Sequence, residues 1–201
     1  MRELPASIGN CRALKDLTIS GEKLVSIPAE ITRLQHLESL SIYKNELHDI
    51  PFSFDGCTRL RNLELNNNNL TELPRGLGEC LELVLINVSF NEIEALPADI
   101  TRSRNLRALI LNNNRLRALP EDIGSLEGLR HLDVTYNRLE TLPRSLGKCM
   151  KMKLLYVHDN PLVSIPDEVR KLPALCVGFP PVGIPSSNRT VVDEDEDDAE
   201  W

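Results

Sequence analysis

The chain has 201 residues and a formal net charge of −7, enough for one moderate domain with a buried core and too little for a large multidomain machine. Residues 193–200 read DEDEDDAE, seven carboxylates without a base, so residues 1–192 carry 23 Lys or Arg against 23 Asp or Glu and are formally neutral. No stretch approaches the ~18 apolar residues of a membrane span, the start MRELPASIGNCRALKD lacks the apolar run of a secretion signal, and 34 leucines beside 4% aromatic residues point to one small motif used many times.

That motif is set by proline. Prolines 5, 28, 51, 74, 97, 120, 143 and 166 are each separated by 23 residues, so the repeat is the first fact to explain. One unit runs from Leu37 to Arg59, LESLSIYKNELHDIPFSFDGCTR, and the next begin at Leu60, Leu83, Leu106 and Leu129. The template is L-x-x-L-x-L-x-x-N-x-L-x-x-L-P, followed by apolar residues three and six positions on. Alternation in the middle of each unit, as at Leu63 and Leu65 or Leu109 and Leu111, predicts a short strand with one buried face. Recognisable strand units start near residues 14, 37, 60, 83, 106, 129 and 152.

Asparagine follows each strand at 45, 68, 91, 114, 137 and 160. Its amide both donates and accepts, which suits backbone groups exposed as the chain turns out of the strand. Glu22 stands there in the first unit, so that turn is expected to bond differently. The Leu-Pro or Ile-Pro pair then opens an extended or short helical return, where a missing N–H is harmless. Two apolar series lie beyond it, one through Ile8, Ile31, Phe54 and Leu77, the other through Cys11, Leu34, Cys57, Cys80, Ser103, Leu126 and Cys149. They predict two internal ridges, slightly loosened at Ser103. Because Cys alternates with Leu there, the cysteines read as packing residues.

This pattern resembles the leucine-rich repeat family, and within it the 23-residue intracellular LPxxI subclass found in Ras-group proteins, Shoc-2-like and plant intracellular. The resemblance spans residues 4–177. It implies an α/β repeat fold, a curved solenoid with a concave parallel sheet and short convex returns, and protein binding as the usual role. Residues 1–177 are accordingly assigned to the solenoid, 178–192 to an irregular cap in which strand repetition stops, and 193–201 to a disordered acidic tail. The chain opens in mid-unit, so the strand near Leu17 and Ile19 is expected to be an exposed edge.

Seven strands at roughly 4.8 Å spacing would make a face near 29 Å long, suited to a macromolecule more than to a metabolite. All three tyrosines, Tyr43, Tyr136 and Tyr156, fall on its outward positions, with Ile110, Leu85, Leu154 and Phe90, the last at a position able to turn inward. Aromatic anchors among amides and hydroxyls describe a protein interface. The candidate binding residues are Tyr43, Lys44, Glu64, Asn66, Asn87, Ile110, Asn112, Asp133, Tyr136, Tyr156 and His158; local packing along the ladder is the competing account of the apolar ones.

His131, Asp133, His158 and Asp159 lie one repeat apart, as a metal or acid-base group would need, yet nothing there orients a nucleophile and the open sheet offers no dry cleft. No catalytic residue, metal or cofactor is assigned. Arg102, Arg104, Arg107, Arg115, Arg117 and Arg130 form either a basic stripe or a solvated flank. Nucleic acid is disfavoured as a partner, because the acidic tail would repel phosphate or attract a basic protein.

Five cysteines, four of them at the repeated apolar position, favour free thiols in a reducing, cytoplasmic setting. Glycosylation triplets at Asn69, Asn87 and Asn188 keep secretion as the lesser reading. The expected function is a non-enzymatic, protein-binding adaptor or scaffold in intracellular signalling, without an integral membrane segment. The alternative is the recognition segment of a larger enzyme or regulatory protein. Homo-oligomerisation through the first strand or the convex surface is left open.

Overall fold

The computed structural model describes residues 2–50, 52–54, 56–172 and the backbone of 176–177. The expected cap over 178–192 and tail over 193–201 lie outside the described residues. Eight strands form one parallel sheet in chain order: β1 (Asp16–Ser20), β2 (Ser39–Tyr43), β3 (Asn62–Glu64), β4 (Leu85–Asn87), β5 (Ala108–Ile110), β6 (His131–Asp133), β7 (Leu154–Tyr156) and β8 (Cys176–Val177). From β1 to β7 each residue pairs with the one 23 positions on, as in Leu40 with Leu63 and Leu63 with Ile86. The sheet's register is therefore the sequence period.

Seven strand units are expected, and the sheet carries an eighth strand at its carboxyl end: β8 pairs with β7 through Leu154 with Cys176 and Leu155 with Val177. That step is 22 residues, one short of the repeat, so a 23-residue template does not place it. At the other end β1 pairs with β2 alone and is the edge of the described sheet.

The returns fold as the LPxxI spacing dictates. In most units the proline holds extended dihedrals, for example φ −66° and ψ 138° at Pro143, and its carbonyl accepts from the amide three residues on. Ile31 donates to Pro28, Ile100 to Pro97 and Leu146 to Pro143, at 3.1–3.2 Å. Those bonds wind 3-10 turns over Ala6–Asn10, Ala29–Arg33, Ala98–Arg102, Ile123–Ser125 and Arg144–Lys148, and the turn over Leu77–Glu79 closes instead on the Gly76 carbonyl. In the last unit the turn is the α-helix α1, Asp167–Arg170. The choice between extended and helical returns thus resolves as short helices in the other units, while the return carrying Phe54 is extended at Ser53, which bridges Arg75 in parallel.

Between sheet and returns lies one continuous core. Leu40, Leu63, Ile86, Leu109, Leu132 and Leu155 line the sheet side, while Ile31, Phe54, Leu77, Ile100, Ile123 and Leu146 line the return side, all fully buried. Each such side chain contributes roughly 1.5–3 kcal/mol of burial free energy, and a unit obtains it only by stacking on its neighbours. The second ridge holds Cys57, Cys80 and Cys149, but Cys11 is exposed, because the first turn has a described neighbour on one side only. Ser103 does not loosen its unit. It is fully buried and its hydroxyl donates to the Leu77 carbonyl at 3.1 Å, where Cys80 donates to Phe54 at 3.3 Å.

The asparagines form the expected ladder. Each Oδ1 accepts an amide 21 residues back, as Asn137 does from Leu116 at 2.9 Å, and each Nδ2 donates to a carbonyl 26 residues back, as Asn137 does to Leu111 at 3.0 Å. Asn45 accepts from both Glu22 and Leu24, so the turn lacking its own asparagine is tied from the next unit. One left-handed residue precedes each rung: Gly21, Lys44, Asn67, Phe90, Asn113, Tyr136 and Asp159 have φ between 53° and 71°.

Candidate functional site

A parallel sheet is ordinarily covered on both faces. Here the returns cover one face, and the other carries the odd-phase residues of every strand into the open. The register places the sequence-derived candidates in adjacent columns. Glu64 pairs with Asn87, Asn87 with Ile110, Ile110 with Asp133, and Asp133 with Tyr156. These five residues are successive rungs of one column. Tyr43, Asn66, Asn112 and His158 occupy the repeat position two residues later, and Lys44 and Tyr136 the left-handed position that follows it.

The face is divided by chemistry. Its first half is polar: the Ser41 hydroxyl donates to Glu64 Oε1 at 3.2 Å. Its second half gathers Leu85, Ile110, Leu154 and Tyr156, half-buried, with Phe90 and Tyr136 about half exposed. Phe90 does not turn inward, because its positive φ sends the side chain away from the core.

Two ring contacts stitch the apolar half. His131 meets Tyr156 nearly edge-on, with centroids 5.6 Å apart and planes at 73°. Tyr136 meets His158 in the same manner at 5.8 Å and 82°. Burial pushes the His131 imidazole below its ordinary 6.5, and the Asp133 charge offsets part of that depression. Its Nε2 and the Oδ1 of Asn66 are the buried side-chain atoms that find no hydrogen-bond partner among the described residues.

Several candidate acceptors are already engaged locally. Asp133 Oδ1 accepts from the Thr135 amide at 3.0 Å and hydroxyl at 2.8 Å, and Asn87 Oδ1 accepts from the Ser89 hydroxyl at 2.8 Å. His158 Nδ1 lies 2.6 Å from Asp159 Oδ2. These bonds fix side-chain direction and leave Asp133 Oδ2 and the Asn87 amide hydrogens to face outward. Among the described residues no three His, Cys, Asp or Glu side chains gather in a way that could hold a metal ion. His131, absent from the sequence-derived binding set, belongs to the patch. Its signal was diagonal: two positions along the neighbouring strand from its partner Leu154 lies Tyr156, within reach of a ring.

The sequence pattern of the leucine-rich repeat family matches residues 12–70 and 104–162. With the parallel sheet and the repeated core in place, the chain belongs to the leucine-rich repeat family, and its fold is the curved solenoid of that family. Solved structures agree. A leucine-rich-repeat protein of Leptospira interrogans is 30% identical over 84% of this chain, with a TM-score of 0.67, and the match covers 48% of that protein. The leucine-rich-repeat ectodomain of an Arabidopsis thaliana membrane receptor kinase, in complex with Casparian strip integrity factor 2, is 29% identical over 83% of this chain, with a TM-score of 0.77 and 21% of its own length covered. A plant peptide hormone receptor bound to its ligand is 29% identical over 85%, with a TM-score of 0.78 and 28% of its length covered. The chain therefore spans about half the length of the first of these and about a quarter of the others. No curated protein sequence matches it. Among the described residues no helix is long and apolar enough to cross a membrane.

Proposed function

We propose that this chain is a non-enzymatic, protein-binding adaptor or scaffold of the 23-residue LPxxI subclass, acting in intracellular signalling through its concave face. The observation that carries the proposal is the apolar half of that face, where Ile110, Tyr136, Leu154 and Tyr156 stay accessible although the core is complete without them. Exposed apolar groups grouped with fixed polar ones describe an interface centre and its rim. Tyr43, Tyr136 and Tyr156 supply affinity, and Asn66, Asn112, Asp133 and His158 supply selectivity. The plant peptide hormone receptor bound to its ligand supports an extended protein segment as the ligand class. The buried Cys57, Cys80 and Cys149, each at a core packing position, support a reducing compartment.

A second reading, the recognition segment of a larger enzyme or regulatory protein, is favoured by the receptor-kinase ectodomain, where such an array serves a longer protein. Affinity capture with the intact chain and with the Tyr43→Ala/Tyr136→Ala/Tyr156→Ala variant tests the concave assignment. A captured partner should bind the variant at least tenfold more weakly, with the thermal transition retained. Equal affinity would exclude this face.

A further inference from the structure

The residue just before each strand forms a column of its own along the rim of the sheet: Lys15, Glu38, Arg61, Val84, Arg107, Arg130 and Lys153. In the first half of the solenoid its charges are matched. Lys15 pairs with Glu38 at 3.0 Å, Arg61 lies 3.8 Å from Glu82, and Arg59 bonds His36 at 3.0 Å. The arginines on other flanks are matched too, Arg102 with Glu79, Arg115 with Glu92 and Arg117 with Glu94.

Arg107 and Arg130 in the second half of the rim differ. Arg107, Arg130 and Lys153 are consecutive rungs, since the Arg130 amide donates to the Arg107 carbonyl at 2.8 Å and the Lys153 amide to the Arg130 carbonyl at 2.7 Å. Arg104 and Lys151 stand in the same loops, and Glu127 is the one acid among these loop residues. Neither Arg107 nor Arg130 forms an ion pair among the described residues. Like charges on adjacent strands repel, and a strand spacing of about 4.8 Å is well inside the ~8 Å screening length of physiological salt. Such a pair is relieved by an anion that spans both rungs.

The chain carries one long enough to span both rungs. We propose that the acidic segment 193–200 docks in cis along the arginine pair Arg107 and Arg130. It holds seven carboxylates, equal to the whole net charge of the chain, and no base. The span 178–192 separates it from β8, which lies one strand from Lys153 and three from Arg107. Fifteen residues reach at most about 50 Å, while three strand spacings are about 14 Å. The tether places the acidic run beside the pair at millimolar effective concentration. Docked there, it borders the concave face on the side where the apolar patch lies, so an acidic ligand at that rim has to displace it.

The single tryptophan, Trp201, adjoins the acidic run and reports on it. In the full chain its fluorescence anisotropy should be high in low salt and fall to that of a freely turning indole near 0.5 M NaCl. Arg107→Gln/Arg130→Gln should show the low value at every salt concentration, as should a chain with the seven carboxylates changed to amides. Arg115→Gln/Arg117→Gln should match the unmodified chain, and each variant is checked by its thermal transition. Low anisotropy in the unmodified chain, or equal loss in both arginine pairs, overturns the proposal. High anisotropy that appears only on raising the protein concentration also overturns it, because the acidic segment would then dock on a second copy.

Discussion

His131 and Tyr156 touch across neighbouring strands, ring edge to ring face, with the imidazole drawn out of water on a sheet that is otherwise open. Asp133 on the same strand is the charged group that partly restores its basicity. Burial makes the folded chain hold this proton less tightly than the unfolded chain does. Stability is therefore greatest above the ordinary pKa of 6.5 and declines as pH falls through the lower, folded value. His131→Leu places at this position the residue that Leu85 and Leu154 already supply in their units. Urea unfolding at pH 7.5 and 5.0 should show a smaller loss on acidification in the variant than in the unmodified chain. An identical pH difference in the two proteins would remove His131 as its source.

Asn137 serves four backbone groups of two units: the Leu116 amide and the carbonyls of Leu111, Val134 and Thr135. Asn137→Ala leaves the Leu116 amide buried without its acceptor, at roughly 1–3 kcal/mol before relaxation, and takes one of two donors from the Leu111 and Val134 carbonyls, which keep Asn114 and Asn160. The expected loss is about 3 kcal/mol in denaturant unfolding. Hydrogen exchange should quicken first at Leu116, the amide that loses its acceptor.

Close packing of successive returns depends on glycine at chosen positions. A Cβ on Gly124 would sit 2.0 Å from the Ser145 carbonyl oxygen, whereas one on Gly21, at φ 71°, would meet nothing within 4 Å. Gly124→Ala should thus cost about 1–3 kcal/mol through a forced separation of two returns, and Gly21→Ala about 1 kcal/mol through backbone conformation alone. Thermal unfolding of the two variants gives the order directly.

Thiol chemistry should separate the cysteines by burial. Cys149 is pushed up to about 11 by desolvation, leaving about one thiolate in a thousand at pH 8, and Cys57 and Cys80 are equally enclosed. In a Cys176→Ser background the folded chain should show one fast-reacting thiol, abolished by Cys11→Ser. The other three should react only at the rate of unfolding.

The fold was legible because its determinants recur. Leu63, Leu109 and Leu132 do the same job at the same spacing, so the period read from proline also set the strand register. What failed to read was where the recurrence breaks. Cys11 carries the ridge pattern but lacks a described unit on its outer side, and β8 follows a 22-residue step that a fixed template cannot see. Ser103 looked like a weak point because its type was read without the carbonyl of Leu77 waiting beside it. Alternation assigns a face, and the register lines its outward positions up in columns. Contacts that cross columns, such as His131 with Tyr156, depend on side-chain reach and appear only in three dimensions.

The left-handed column has a consequence for how this protein can evolve. Asn67 and Asn113 tolerate that conformation, and Gly21 adopts it freely, but Phe90 and Tyr136 hold it against a penalty of roughly 1 kcal/mol each. Both project into solvent, where they return little to the core. Selection for thermal tolerance alone would drift these two sites toward asparagine or glycine. Their retention as aromatics would then mark a standing conflict between durability and recognition, readable by comparing melting temperature with ligand affinity across Phe90→Asn and Tyr136→Asn.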